Sequence, residues 1–281
     1  YIIMTELEQF IKFNENKSPK TKGTYERMYR KLSIILESDV GALSEDKIIE
    51  LVNNEINNIN TIQSLLNIAV LIKKMKNMKF EKLQAERKNN VNKVEIYTKE
   101  ENDKKKQIYP SLQELIDYTN YLYDNGKWTD YIINYLILNN YVRNKDLNFT
   151  ITLKKKDTID KEKNYIWLDN RFKKAVYIRR DYKTFDTYGE KQSIIKDDKF
   201  LIALRRIVSH QKHKENQGVF IPNENALGYY IQKATFQELG EGNYLKIIIN
   251  HHLKNENPHI LKEISKERGT DLQTLISNYT I

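Results

Sequence analysis

An arginine closes an apolar helical run: Tyr131, Ile132, Ile133, Tyr135, Leu136, Ile137 and Leu138 lead into Asn139-Asn140-Tyr141-Val142-Arg143-Asn144-Lys145-Asp146-Leu147. A guanidinium is costly to hold beside such a run unless it has an anion to grip, and its planar fork suits two oxygens of a phosphate. The apolar run reads as core and Arg143 as site; the alternative is a surface arginine paired with Asp146. Far downstream stands Tyr279, one of 19 tyrosines in the chain, any one of which is usually structural. The chain has no cysteine, so thiolate nucleophiles, disulfides and cysteine zinc sites are excluded. Its five histidines form no His-Glu-x-x-His zinc motif. His210 and His213, in a lysine-rich polar stretch, read as a solvated helix end rather than a ligand pair.

Composition narrows the partner. With 47 Lys and Arg against 38 Asp and Glu over 281 residues, the formal charge is +9, which favours a polyanion, and nucleic acid is the natural candidate. A soluble basic protein is the plainer alternative. No apolar run approaches the roughly 20 residues that span a bilayer, and Tyr1-Ile2-Ile3-Met4 is too short for a signal peptide. The expectation is an intracellular, DNA-associated protein without membrane contact. Heavy use of Asn, Lys, Ile and Tyr points to an AT-rich genome, that of a virus, a mobile element or an AT-rich microbe.

The elements that would position these residues follow from periodicity and caps. Thr5 caps a helix through Phe13. Ser18-Pro19 starts a second that carries Tyr25, Met28, Tyr29, Leu32, Ile35 and Leu36. Ser44-Glu45-Asp46 opens a third, and Asn60-Thr61 a fourth whose stripe is Ile62, Leu65, Leu66, Ala69, Val70 and Ile72. Residues 1–80 therefore read as a small helical bundle. Residues 81–109 lie in a charged stretch read as a linker, either solvated or crossing phosphates. Within 110–281, Pro110-Ser111 caps a helix through Tyr123, and Trp128 to Leu138 form the next. Four β-prone runs follow at Phe149–Leu153, Tyr165–Leu168, Ala175–Arg180 and Gln192–Ile195, giving a small antiparallel sheet. Helical spacing returns at Lys199–Val208, Asn225–Leu239, Tyr244–Leu253, His259–Arg268 and Leu272–Tyr279.

The ordered set Arg143, Lys183, Lys246, Tyr279 resembles the catalytic domain of the tyrosine recombinase (phage integrase) family. That family has an arginine followed three residues later by an acid and a leucine, here Arg143, Asp146 and Leu147. It then has a hairpin lysine, a His-x-x-Arg box, a Gly-His pair and a nucleophilic tyrosine. The resemblance implies that Lys183, in Arg179-Arg180-Asp181-Tyr182-Lys183-Thr184, is the general acid, with Lys191 on the returning strand as fallback. The His-x-x-Arg box falls on Asn243-Tyr244-Leu245-Lys246, so asparagine replaces histidine and lysine keeps the charge without the bidentate grip. The Gly-His pair falls on Gly269-Thr270, and Tyr279 stands nine residues on (279 − 270). The first four helices, with Ser-Pro-Lys-Thr-Lys-x-Thr-Tyr, look like the family's core-binding domain.

What the resemblance implies is a mainly α fold with a small antiparallel sheet, in which a helical core-binding domain and a catalytic domain form a C-shaped clamp on double-stranded DNA. The implied activity is site-specific recombination or integration through a 3′-phosphotyrosyl intermediate, with no metal, nucleotide or other cofactor. The chain would work as a homo-oligomer on DNA, dimer to tetramer. The implied catalytic set is Arg143, Lys183, Asn243, Lys246, Thr270 and Tyr279. Two alternatives stand beside it: a DNA-binding protein of the same fold that has lost efficient cleavage, and a helical scaffold or RNA-binding protein.

Overall fold

The computed structural model describes residues 4–106, 109–169, 171–211, 220 and 226–279. His213 of the candidate histidine pair, and Asn225 at the expected start of a helix, lie outside the described residues. The fold is mainly helical with a small sheet, as the periodicities predict. The chain divides into two compact units, residues 1–105 and 106–281.

The first unit contains α1 (Glu6–Phe13), α2 (Pro19–Leu36), α3 (Glu45–Glu55), α4 (Ile59–Met75) and α5 (Glu81–Lys106). The caps are those the sequence offers: Thr5 with Glu8 as a capping box, Ser18 ahead of Pro19, and Ser44. α4 begins a residue earlier than expected, on an Asn58 cap. Phe10, Tyr29, Leu32, Leu36, Val40, Ile48, Val52, Leu65, Leu66 and Ile72 form its core. The charged stretch read as a linker is helical over 81–106. Its only deeply buried apolar anchor among the described side chains is Leu83, so no apolar stripe advertises the helix. Asn90 and Arg87 tie its first half to α4 through Ile59, Gln63 and Asn67.

The second unit opens with α6 (Leu112–Asp124) and α7 (Trp128–Asn140). A four-stranded sheet follows in the order β1 (Phe149–Thr152), β2 (Asn164–Leu168), β3 (Ala175–Arg179) and β4 (Lys191–Ile195). The expectation of an antiparallel sheet needs correcting: β1 pairs with β2 in parallel, and only β2–β3 and β3–β4 are antiparallel. Residues 153–163 make the difference, because this connection carries the chain back to the end where it started, which a tight hairpin cannot do. Between β3 and β4 the chain turns through a short helix, α8 (Phe185–Tyr188), and Gly189.

One face of the sheet (Phe149, Ile151, Ile166, Leu168, Ala175, Tyr177) packs on α7 and on α9 (Asp198–Gln211) through Ile132, Leu136, Phe200, Ala203 and Leu204. α10 (Leu227–Ala234), α11 (Gly240–Lys254), α12 (Pro258–Arg268) and α13 (Leu272–Tyr279) complete the unit. The helix expected over Asn225–Leu239 breaks after Ala234, where Gln237 and Glu238 take positive φ before Gly240. Asn134, fully buried on α7, donates to Ala234 O (2.8 Å) and accepts from Tyr244 (2.6 Å), fixing that break against α7 and α11. A second apolar cluster of Tyr141, Leu245, Ile248, Ile249, Leu261, Ile264 and Leu275 joins α11, α12 and α13, with Tyr279 packed against it.

Candidate active site

The C-terminal end of α12 is the hub of the site. The last carbonyls of a helix lack intrahelical partners and carry the negative end of its dipole, so cations gather there. Here Lys191 Nζ donates to Lys266 O and to Glu267 O (2.9 Å), and Arg143 Nη1 donates to Arg268 O. Gly269, at φ +56°, ends the helix: Gly269 N reaches Lys266 O and Thr270 N reaches Ser265 O, both at 3.1 Å. The hairpin presses on this turn so closely that a Cβ at Gly269 would stand 2.4 Å from Thr184 Oγ1 and 2.8 Å from a Tyr188 ring carbon. Gly269→Ala is therefore expected to cost roughly 2–4 kcal/mol, from left-handed backbone strain and overpacking together. Trp128 and Trp167 are the chain's only tryptophans, so fluorescence-monitored melting reads this loss in the second unit alone.

Arg143 reaches the hub because α7 stops at Tyr141, whose φ of +51° reverses the chain, and Val142 is buried. Arg143 then starts a 3₁₀ turn over Asn144–Leu147, its backbone N–H donating to Asp146 Oδ2 (3.0 Å). Asn164, 1% exposed, locks that turn to the sheet: it donates to Asn148 O (3.1 Å) and Asp181 O (3.0 Å), and accepts from the Arg180 and Asp181 N–H groups (2.8 Å each). Tyr177 adds a hydrogen bond to Asp146 O.

Two further cations stand beside Arg143. Arg179 is 1% exposed, paired with Glu267 and 3.8 Å from Asp146. Lys191 is its cross-strand partner on β4 and lies over the rings of Tyr182 and Tyr188. Burial, and then Arg268, push the Arg143 guanidinium below its ordinary range; burial, and then Arg179, do the same to the Lys191 ammonium. Asp146 is raised, chiefly by burial. Arg143, Arg179, Arg268 and Lys191 thus crowd against three carboxylates, Asp146, Glu241 and Glu267. Like charges brought together in a low-dielectric place favour an added anion.

Tyr279 comes to this cluster from the last helix. Its hydroxyl accepts from Arg268 Nη2 at 3.0 Å, its ring lies 5.3 Å from the Arg268 guanidinium carbon, and its carbonyl accepts from Asn250 Nδ2 at 3.0 Å. Arg268 O is in turn the acceptor for Arg143. One residue of α12 therefore links the guanidinium at 143 to the phenol at 279. No known protein family matches the sequence, and no curated protein does. Among solved structures the chain is similar to XerA recombinase, at 12% identity and a TM-score of 0.36, over 98% of this chain and 93% of that one. So distant a likeness assigns neither a role nor a residue.

Of the residues singled out in the sequence, Arg143 and Tyr279 converge on the hub, and Thr270 adjoins it through the turn after Gly269, its carbonyl accepting from Ser265 Oγ (2.6 Å). Lys246 is half-buried on α11, one turn before Asn250, which holds the Tyr279 carbonyl. Asn243 spends its amide elsewhere, accepting from Tyr109 (2.8 Å) and donating to Leu239 O (2.7 Å). Lys183 is exposed and forms no hydrogen bond or ion pair among the described residues, whereas Lys191 sits in the cluster. The physical reason is the helical turn α8, which leaves Lys183 outside the sheet and puts Lys191 opposite Arg179. Arg268, Arg179 and Glu241 were not among the candidates.

Proposed function

We propose that residues 106–281 break and rejoin DNA strands through a covalent bond between Tyr279 and a strand's 3′-phosphate. What carries this reading is the gathering of a phenol and three cationic side chains, Arg143, Lys191 and Arg268, from four separate elements around one helix end. Such a cluster is poor as a stability device, since its like charges repel, and apt as a phosphodiester site. In the attack the phenolic O–H bond breaks and its proton passes to water, while the O–P bond forms. The bond from phosphorus to the 5′-oxygen breaks, and that oxygen takes a proton from Lys191, whose lowered affinity for its proton makes it the better acid. Arg143 would grip the non-bridging oxygens. The diester's energy stays in the phosphotyrosyl bond, so the reverse attack by a new 5′-hydroxyl needs no nucleotide.

The chain's charge of +9 suits a duplex partner, and the helical bundle of residues 1–80 is assigned to duplex binding with it. Assembly as a dimer or tetramer on DNA belongs to the same reading, since exchanging strands takes more than one such site. A second reading has one observation in its favour: Arg143 and Lys191 spend donors on α12 carbonyls, as helix-capping cations do. In that case the chain holds DNA without cutting it.

Incubation of the chain with a nicked suicide duplex, whose short 3′ fragment diffuses away after cleavage, separates the two. The first reading expects a protein–DNA species that survives denaturing electrophoresis and whose peptide maps to Tyr279. Retention of the duplex with no such species would leave only the second.

A further inference from the structure

Arg268 ends α12, where an arginine ordinarily lies in solvent against the helix dipole. Instead it is 2% exposed and turned inward. Its Nη1 donates to Tyr141 O (3.1 Å), Val142 O (3.2 Å) and Glu241 Oε1 (2.7 Å). Those acceptors come from the exit of α7 and the first turn of α11, so they fix the plane of the guanidinium before any substrate arrives. The same plane aims Nη2 at the Tyr279 oxygen. Its buried Nε finds no acceptor among the described residues, which makes the placement costly and calls for a purpose beyond packing.

We propose that Arg268 is the positioning residue for Tyr279, oriented by Glu241, so that carboxylate, guanidinium and phenol form a line of three. The proposal rests on the reading of Tyr279 as the attacking group. A phenol oxygen has two lone pairs and one proton. Accepting from Nη2 assigns one lone pair, so the proton and the other lone pair must point away from the guanidinium. That leaves a single attacking direction and removes the swing otherwise open to a side chain near the end of a short helix. As the O–P bond forms and the phenol's proton departs, negative charge grows on this oxygen. A donor already aimed at it stabilises that state more than the neutral phenol, which is the requirement for speeding a step.

Arg268 acts through the tyrosine rather than on the phosphate. Three acceptors already share the two hydrogens of Nη1, so turning the fork towards a diester would break contacts on both α7 and α11. Lysine cannot replace it, because one ammonium cannot hold Glu241 and the phenol from two fixed nitrogens.

The test measures single-turnover adduct formation on the nicked suicide duplex with full-length Arg268→Lys and Glu241→Gln. One oriented donor is worth about 10²–10³ in rate, so Arg268→Lys is expected to slow cleavage by roughly that factor with duplex affinity little changed. Glu241→Gln, which keeps the arginine but loosens it, is expected to slow cleavage by about tenfold. A readout that packing alone would not move is the Tyr279 resonance in protein labelled at tyrosine ring carbon Cζ, assigned by its loss in Tyr279→Phe and expected to shift in Arg268→Lys. A wild-type adduct formed equally fast by Arg268→Lys, or an unshifted resonance, overturns the positioning role alone. Absence of any adduct from the wild-type chain overturns the nucleophile reading and this role with it. If Arg268→Lys fails to melt cooperatively, Glu241→Gln carries both measurements.

Discussion

Tyr279→Phe is expected to abolish the proposed covalent protein–DNA species while leaving affinity for intact duplex within about threefold, because the cations that the proposal sets against phosphate are untouched. The substitution removes one oxygen. The ring stays packed against Leu275 and its neighbours on α11 and α12, and the backbone carbonyl keeps its bond from Asn250. What is lost in stability is the single hydrogen bond from Arg268, on the order of 1 kcal/mol. That corresponds to a melting shift of roughly 2–4 °C in a domain of this size. Loss of cleavage therefore cannot be blamed on unfolding, and melting by tryptophan fluorescence checks it. An adduct that persists in Tyr279→Phe would point to another phenol, with Tyr188, half-exposed and beside Lys191, first in line.

The residues differ in how openly the sequence displays them. Arg143 is visible because an arginine after seven apolar or aromatic residues contradicts its surroundings, and the contradiction marks a site. Arg179 carries a fainter signal of the same kind. Ala175, Tyr177 and Arg179 share one face of β3 by strand alternation, and the first two face the main core, so the third must be buried too. Arg268 gives no local sign. Lys266-Glu267-Arg268-Gly269 reads as a solvated helix end, and only the tertiary return of Tyr141 and Val142 shows that its last side chain points inward. The choice between Lys183 and Lys191 likewise turns on register: the pairing of Arg179 with Lys191 depends on a four-residue helix that the turn-forming sequence Asp186-Thr187-Tyr188-Gly189 does not reveal. Caps and stripes made the helices legible, and β-prone runs gave the strands within a residue or two. The parallel pairing of β1 with β2 was hidden because strand direction depends on where a connection travels, which local composition does not encode.

Arg179→Met should destabilise the second unit by about 3–5 kcal/mol, the usual cost of removing one partner from a buried ionic cluster. Methionine fills much of the same volume, so the loss is electrostatic. Glu267, whose side chain is 26% exposed, can turn to water, but that of Asp146 at 3% cannot. Burial already raises the Asp146 carboxyl while Arg179 opposes it; without Arg179 the carboxylate is left with the Arg143 N–H and weaker, more distant cations. At roughly 2–4 °C per kcal/mol, tryptophan-monitored melting should fall by about 6–20 °C. Asp146→Asn in the same chain should recover half or more of that, since the amide removes the buried charge yet its oxygen still accepts from Arg143 N. Recovery would locate the cost in an uncompensated carboxylate. If the double variant melts no higher than Arg179→Met alone, the arginine is held for packing and its bond to Glu267. The account of the site as opposed charges poised around one helix end would then lose its basis.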